Sequence, residues 1–316
     1  MKLRGCFSMS APLHFNKRQL IQLHSAGVRA LRSWMTQFGA LEICVPSLET
    51  RSSSEIRPTI FAEFDSHQFS LSQGNIDCLI DAAAWAKRCY YLSKVFRPSN
   101  GGLNRLLEFS YVSCVFPGDE HKAKQLFTEI IGFIRRACEA ELDVDLNEPR
   151  LAEYDFKSAC DLCGIEAGKD LSFSDQLGIV DRLGRNGVIL TNKPGLGEPY
   201  RYEFSYNDDH SSLFEVLLPS CGEVGTGGRI ETDYTQLKKS FEKSAFGKSK
   251  DAERQAELFN KSANTLVTTT AFFGFSFERL MQSFCGTGDI LNSTPYGSAI
   301  REGVAQGLFS SLKSMP

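Results

Sequence analysis

Residues 17–39, KRQLIQLHSAGVRALRSWMTQFG, repeat apolar positions at helical intervals: Leu20, Ile21, Ala26, Val28, Leu31 and Trp34 share one side, and Gly39 supplies a stop. This spacing predicts a helix, followed by a strand in ALEICVPSLET that ends at Pro46. FAEFDSHQFSLSQ has a β-like pattern. So do CYYLSKVFRP and LEFSYVSCVF, which flank the polar stretch within VFRPSNGGLNRLLEF (95–109) and read as an antiparallel hairpin with a long tip. Residues 120–141 carry the strongest helical pattern, with Phe127, Ile130, Ile131 and Ile134 on one side. AEYDFKSACDLCGI and DLSFSDQLGIVDRLG read as short amphipathic helices, the second closing at a glycine. GVILTN, YRYEFSY and LFEVLLPS read as strands, 235–263 as a solvated helix, and FFGFSFERLMQSFCG as a glycine-containing strand running into a helix. The strands outnumber what βαβ alternation would produce. The pattern therefore predicts an α+β fold, an antiparallel sheet flanked by helices, in a single domain spanning 1–316 with 1–16 as an N-terminal extension.

Composition narrows the class. A chain of 316 residues that is 42% hydrophobic and 23% charged can bury a large core. Its apolar runs fall short of the roughly 18 residues a membrane span needs, and the N-terminus has no apolar signal region, so a cytoplasmic protein is expected. Ten cysteines in this length are too dilute for a disulfide scaffold. Cys160 and Cys163 form one close pair, but His14, His24, His67, His121 and His210 are scattered, which speaks against a zinc site. A net charge of −3 and a pI near 6.0 argue against a broad basic nucleic-acid surface and leave a local patch open.

Three stretches in order carry a family resemblance. GALEICVPSLET resembles the first signature of class II aminoacyl-tRNA synthetases, VFRPSNGGLNRLLEF the second, and GFSFERLMQSFCGTGDILNSTPY the third. Between the last two, LFEVLLPSCGEVGTGGRIETDYTQL is similar to the pattern of the asparaginyl branch, and FSLSQGN resembles the substrate strand of the asparaginyl, aspartyl and lysyl subgroup. The resemblance implies a sheet of about six antiparallel strands and a catalytic core that dimerises through its first-signature helix and strand.

It also implies roles. Arg97 would clamp the α-phosphate of ATP, Arg105 would meet the γ-phosphate, Glu108 the adenine amino group, and Phe109 would stack on the ring with Arg279 over its other face. Gly274 would let the nucleotide approach the backbone. Glu215 and Glu223 would hold Mg2+ against the phosphates. Gln73, Arg229 and Glu231 would contact the amino-acid substrate. Arg97 and Arg279 are the expected catalytic pair. An amino-acid carboxylate is already an anion at neutral pH, so positioning and charge stabilisation suffice without a general base.

Departures from the family qualify the substrate. Pro98 and Ser99 follow Arg97 where a glutamate is usual two positions on. Ile230 falls where a substrate-contacting arginine belongs, so that one deleted residue would be needed to bring Arg229 into that role. Phe272 and Ser276 replace two glycines, and Leu291 an arginine. Some sixteen residues precede the first helix, against about a hundred for the subgroup's anticodon-binding barrel, so anticodon recognition by this chain is not expected. The expected activity is ATP-dependent activation of aspartate, asparagine or an analogue as an aminoacyl adenylate, followed by transfer to a small amine. Transfer to tRNA or a tRNA-like carrier is an alternative, disfavoured by the acidic charge. A paralogue without catalysis, acting as a regulatory or binding protein, is another.

Overall fold

The computed structural model describes residues 13–49, 60–65, 67–98, 104–146, 148–167, 171–183, 186–194, 204–205, 210–243, 269–297 and 299–300. The chain begins with α1 (Lys17–Phe38), whose Asn16 side chain and Gln19 form a reciprocal cap and whose end turns at Gly39 with φ 74°. β1 (Leu41–Glu42) and β2 (Leu48–Glu49) follow, then the hairpin of β3 (Phe61–Phe64) and β4 (His67–Leu71), and α2 (Ile76–Ala86). β5 (Cys89–Phe96) and β6 (Glu108–Pro117) form the expected antiparallel hairpin, whose tip at 99–103 lies outside the described residues. Next come α3 (Glu120–Leu142), β7 (Leu151–Asp155), α4 (Phe156–Cys163), α5 (Phe173–Arg182) and β8 (Gly187–Thr191). β9 (Phe204–Ser205), β10 (His210–Ser211), β11 (Phe214–Leu218), β12 (Gly222–Ile230) and α6 (Tyr234–Lys243) precede β13 (Thr270–Ser276) and α7 (Phe277–Cys285).

One sheet organises these elements in the order β1-β5-β6-β13-β12-β11-β8-β7. Its six inner strands are antiparallel, and β1 and β7 add short parallel edges against β5 and β8. The eight strands exceed the expected number by these two edges. Short sheets of β2-β4-β3 and β10-β9 lie apart from it.

Period-two alternation gives the sheet two different faces. On one, Phe116, Phe214, Phe273 and Phe275 meet Leu23, Leu31 and Met35 of α1 and Phe127, Ile130 and Ile134 of α3 in the main core. Phe127 is its hub, with ring centroids 5.7–6.1 Å from Phe275, Phe273 and Phe214 in edge-on contact. Burying each such ring contributes on the order of 1.5–3 kcal/mol. On the other face, α2 covers Leu213, Ile230 and Phe272, while α4 and α5 cover Val188, Leu190 and Leu217. The strip between these two clusters is where a site can form.

Several elements depart from the sequence pattern. ALEICVPSLET is not one strand: β1 takes two residues into the main sheet and β2 joins β4 in another. In AEYDFKSACDLCGI the first residues form β7, and Asp155 caps the helix by accepting from Ser158 N–H, so the helix is shorter than expected. Of YRYEFSY only Phe204–Ser205 is described as strand, and of 235–263 the part beyond Lys243 lies outside the described residues. β12, GEVGTGGRI, carries no strand signal because four of its nine residues are glycine. Those glycines let neighbouring strands close in: a Cβ at Gly225 would stand 2.2 Å from the Gly274 carbonyl oxygen and 2.7 Å from the Phe275 Cα.

Gly225→Ala should accordingly lower unfolding stability by about 2–4 kcal/mol, because backbone atoms cannot retreat as a side chain would. Gly178→Ala, on the exposed face of α5 with nothing within 4 Å, should raise it by about 0.5–1 kcal/mol. Urea denaturation of both variants checks the pair, and equal effects would contradict the packing described.

Candidate active site

The floor of the open strip is set by register. Tyr91, Ser113, Gly274, Thr226 and Glu215 stand opposite one another across β5, β6, β13, β12 and β11, so their side chains share one face. Gly274 is the low point. A Cβ there would stand 2.7 Å from the Tyr111 hydroxyl, so the glycine makes room for the Tyr111 ring. Tyr91 accepts a hydrogen bond from Asn75 N–H at 3.1 Å, tying the segment after β4 to the floor.

Basic groups gather at one end of the strip. Arg97 closes the β5–β6 hairpin by donating its N–H to the Leu107 carbonyl, 2.9 Å, and its Nε donates to the Gln73 carbonyl at 3.1 Å. Its guanidinium carbon lies 5.5 Å from the Phe109 ring centre and 5.4 Å from that of Tyr111, two rings that meet edge to face. Arg279, in the first turn of α7, is partly buried and donates from Nε to the Asn104 carbonyl, 3.1 Å, and from Nη1 to the Glu223 carbonyl, 2.6 Å. Burial pushes its pKa below the ordinary arginine value, Glu223 pulls it back, and repulsion from Arg97 and Arg105 lowers it further. Arg279, far along the chain from residues 97 and 105, thus bonds the backbone beside Arg105 and feels the charge of both.

α7 is anchored to both hairpins. Ser276 accepts from Arg279 N–H at 3.3 Å as its cap. Both carboxylate oxygens of buried Glu278 accept from Ser110 N–H, at 2.9 and 2.8 Å, and Gln282 donates to the Ser220 carbonyl at 3.0 Å. Burial raises the Glu278 pKa, with Lys94 Nζ, 3.7 Å away, acting against it.

The acidic pair is only partly as expected. Glu215 and Glu223 share the open face, because Glu223 opposes Leu217 in a register shifted by a bulge. Glu215, however, is buried in an ion pair with Lys193, Nζ to Oε1 2.5 Å. Among the described residues no group of three or more His, Cys, Asp or Glu is arranged to hold a metal ion. A carboxylate already neutralised by an ammonium does not fit the expected role of magnesium ligand.

Other expected contacts are not brought together. Glu108 is opposite Phe96, on the face away from Phe109, and its carboxylate lies 3.7 Å from Lys94 Nζ, so it does not face the Phe109 and Tyr111 rings. Arg229 is opposite Ala271, on the face packed by α1 and α3, whereas Ile230 is opposite Thr270 and packs with Phe272 and Leu79 on the α2 side. Glu231 follows β12 and accepts from Asp233 N–H at 2.8 Å within its own turn. Phe272 is core, and Gln73 is buried beside Arg97. Ser99 lies outside the described residues. Sequence reasoning missed Tyr111, Asn104, Glu278 and Lys193. Glu278 alone had a signal, as the residue preceding Arg279 in the third signature.

Comparison with known proteins follows the same lines. The family model for tRNA synthetases class II (D, K and N) matches residues 11–299. An asparagine–tRNA ligase of Picosynechococcus sp. is 23% identical over 71% of this chain and 54% of its own length, and one of Microcystis aeruginosa is 23% identical over 94% and 69%. The chain thus spans about half of the first relative's length. The asparaginyl-tRNA synthetase of Pyrococcus horikoshii, solved with asparaginyl-adenylate, superimposes with a TM-score of 0.80 at 17% identity, covering 89% of this chain and 68% of that one. That of Entamoeba histolytica, also with asparaginyl-adenylate, gives 0.78 at 16%, covering 89% and 67%. With its family model matched over most of its length on a sheet of this topology, the chain belongs to the class II tRNA synthetases of the D, K and N group.

Proposed function

We propose that this chain is an ATP-dependent, AMP-forming ligase that activates the carboxylate of aspartate, asparagine or an analogue. The observation that carries this reading is Arg97 lying over the Phe109 and Tyr111 rings while Arg279 bonds the Asn104 carbonyl, next to Arg105. Neighbouring guanidinium groups that repel one another are relieved by a polyanion, and flanking aromatic rings suit a flat base. The carboxylate oxygen attacks the α-phosphorus, the bond to pyrophosphate breaks, and Arg97 and Arg279 balance the charge that builds on the phosphoryl oxygens. An amine then attacks the adenylate carbonyl and AMP leaves. We assign a small amine as the acceptor, because a net charge of −3 does not favour a polyanionic carrier. Since Glu215 is committed to Lys193, no step is assigned to a metal ion on that carboxylate. The partner we assign is a second copy, pairing along α1 and β1, where Ile21 and Leu41 are exposed.

A second reading, tRNA as acceptor, is favoured by the asparagine–tRNA ligases among the relatives. Binding of bulk tRNA at two salt concentrations separates the two. A phosphate-driven complex weakens steeply with salt, whereas the small-amine reading expects no stable complex at either.

Exchange of pyrophosphate into ATP, run over a panel of amino acids and close analogues, should respond to one of them. Arg279→Ala should lower that exchange by at least about a hundredfold. Arg279→Lys should recover little of it, because an ammonium cannot reproduce the planar fork that bonds two carbonyls at once. Exchange with none of the acids would favour the non-catalytic binding protein instead.

A further inference from the structure

The family's expected magnesium ligand, Glu215, already has a cation of its own. We propose that Lys193 supplies, from within the chain, the positive charge beside Glu215 that a divalent ion would otherwise bring, so that a nucleoside triphosphate binds here without a metal ion on that carboxylate. The proposal rests on the ATP reading above.

The pair is built rather than incidental. Glu215 is buried and Lys193 largely covered, with side chains 10% and 14% exposed, and they meet at Nζ–Oε1 2.5 Å. Glu215 lies on a strand bonded on both sides, opposite Leu190 of β8 and Thr226 of β12, so its backbone is fixed. Lys193 is held from its own backbone. Asn192 takes φ 54°, a left-handed turn that asparagine tolerates, and its side chain donates to Asp155 at 3.1 Å. The Lys193 carbonyl accepts from both the N–H and the hydroxyl of Ser211, at 3.0 and 3.3 Å.

Position gives the pair its function. Glu215 stands in the row that also contains Thr226 and Gly274, on the sheet face shared by Phe109 and Tyr111, over which Arg97 lies. A divalent ion could reach Glu215 only by displacing an ammonium from a buried carboxylate, which leaves one charge without its partner. A lysine held in place carries a fixed compact charge into the site at no cost in ion capture.

The test compares the whole protein with Lys193→Met, using direct ATP titration in excess EDTA and in excess magnesium, together with loss of the free Mn2+ resonance on adding protein without nucleotide. The wild type should bind ATP within about threefold under both conditions. Lys193→Met should lose about tenfold or more in EDTA, recover in magnesium, and gain Mn2+ affinity by about tenfold. Lys193→Arg, which keeps the charge, should restore binding in EDTA and controls for misfolding. ATP binding by the wild type that requires magnesium, with Mn2+ affinity unchanged in Lys193→Met, would overturn the proposal and leave the ATP reading standing. Absence of ATP binding under either condition would overturn both.

Discussion

The partly buried guanidinium of Arg279 is the group on which the site depends. It bonds one carbonyl in the connection between β5 and β6 and another at the start of β12, from the first turn of a helix that follows β13 directly. A buried arginine must find acceptors for its donors, and here they are backbone oxygens rather than a carboxylate. The charge is therefore held in place by neutral acceptors, with Glu223 offsetting part of it and Arg97 and Arg105 repelling it. Glu278, next to it, works by the opposite arrangement: a buried carboxylate whose two oxygens take the N–H of Ser110 fixes β6 against the same helix. Two adjacent residues thus pin two distant hairpins.

The rest of the fold keeps these pins aligned. α1 and α3 fill one face of the sheet with aromatic and aliphatic side chains, so the inner strands cannot slip without exposing Phe273 and Phe275. The opposite face is covered at its two sides by α2 and by α4 with α5. What remains between them is a strip floored by small residues and rimmed by basic ones.

Much of this was legible from spacing. The first helix, the hairpin carrying Arg97 and the strand-to-helix run carrying Arg279 have strong local patterns, and the structure forms all three. β12 was hidden because its glycines are there for the close approach of β13 and not for local propensity. Placement differed from expectation where it depended on parity. Glu108 and Arg229 are each one residue from the open face, and a one-residue offset in a strand reverses direction completely. Lys193 could not be found at all, since nothing in its neighbourhood indicates that Glu215, more than twenty positions on, will be its partner.

The division of labour along β13 has a consequence for how such a protein diversifies. Phe273 and Phe275 maintain the architecture, while Phe272, Gly274 and Ser276 look toward α2, the floor and the helix cap. Because Phe272 is buried, a side chain at Gly274 would meet Tyr111 and Ser276 caps a helix, any lineage of such scaffolds would acquire new chemistry at the rim of the strip and leave β13 unchanged.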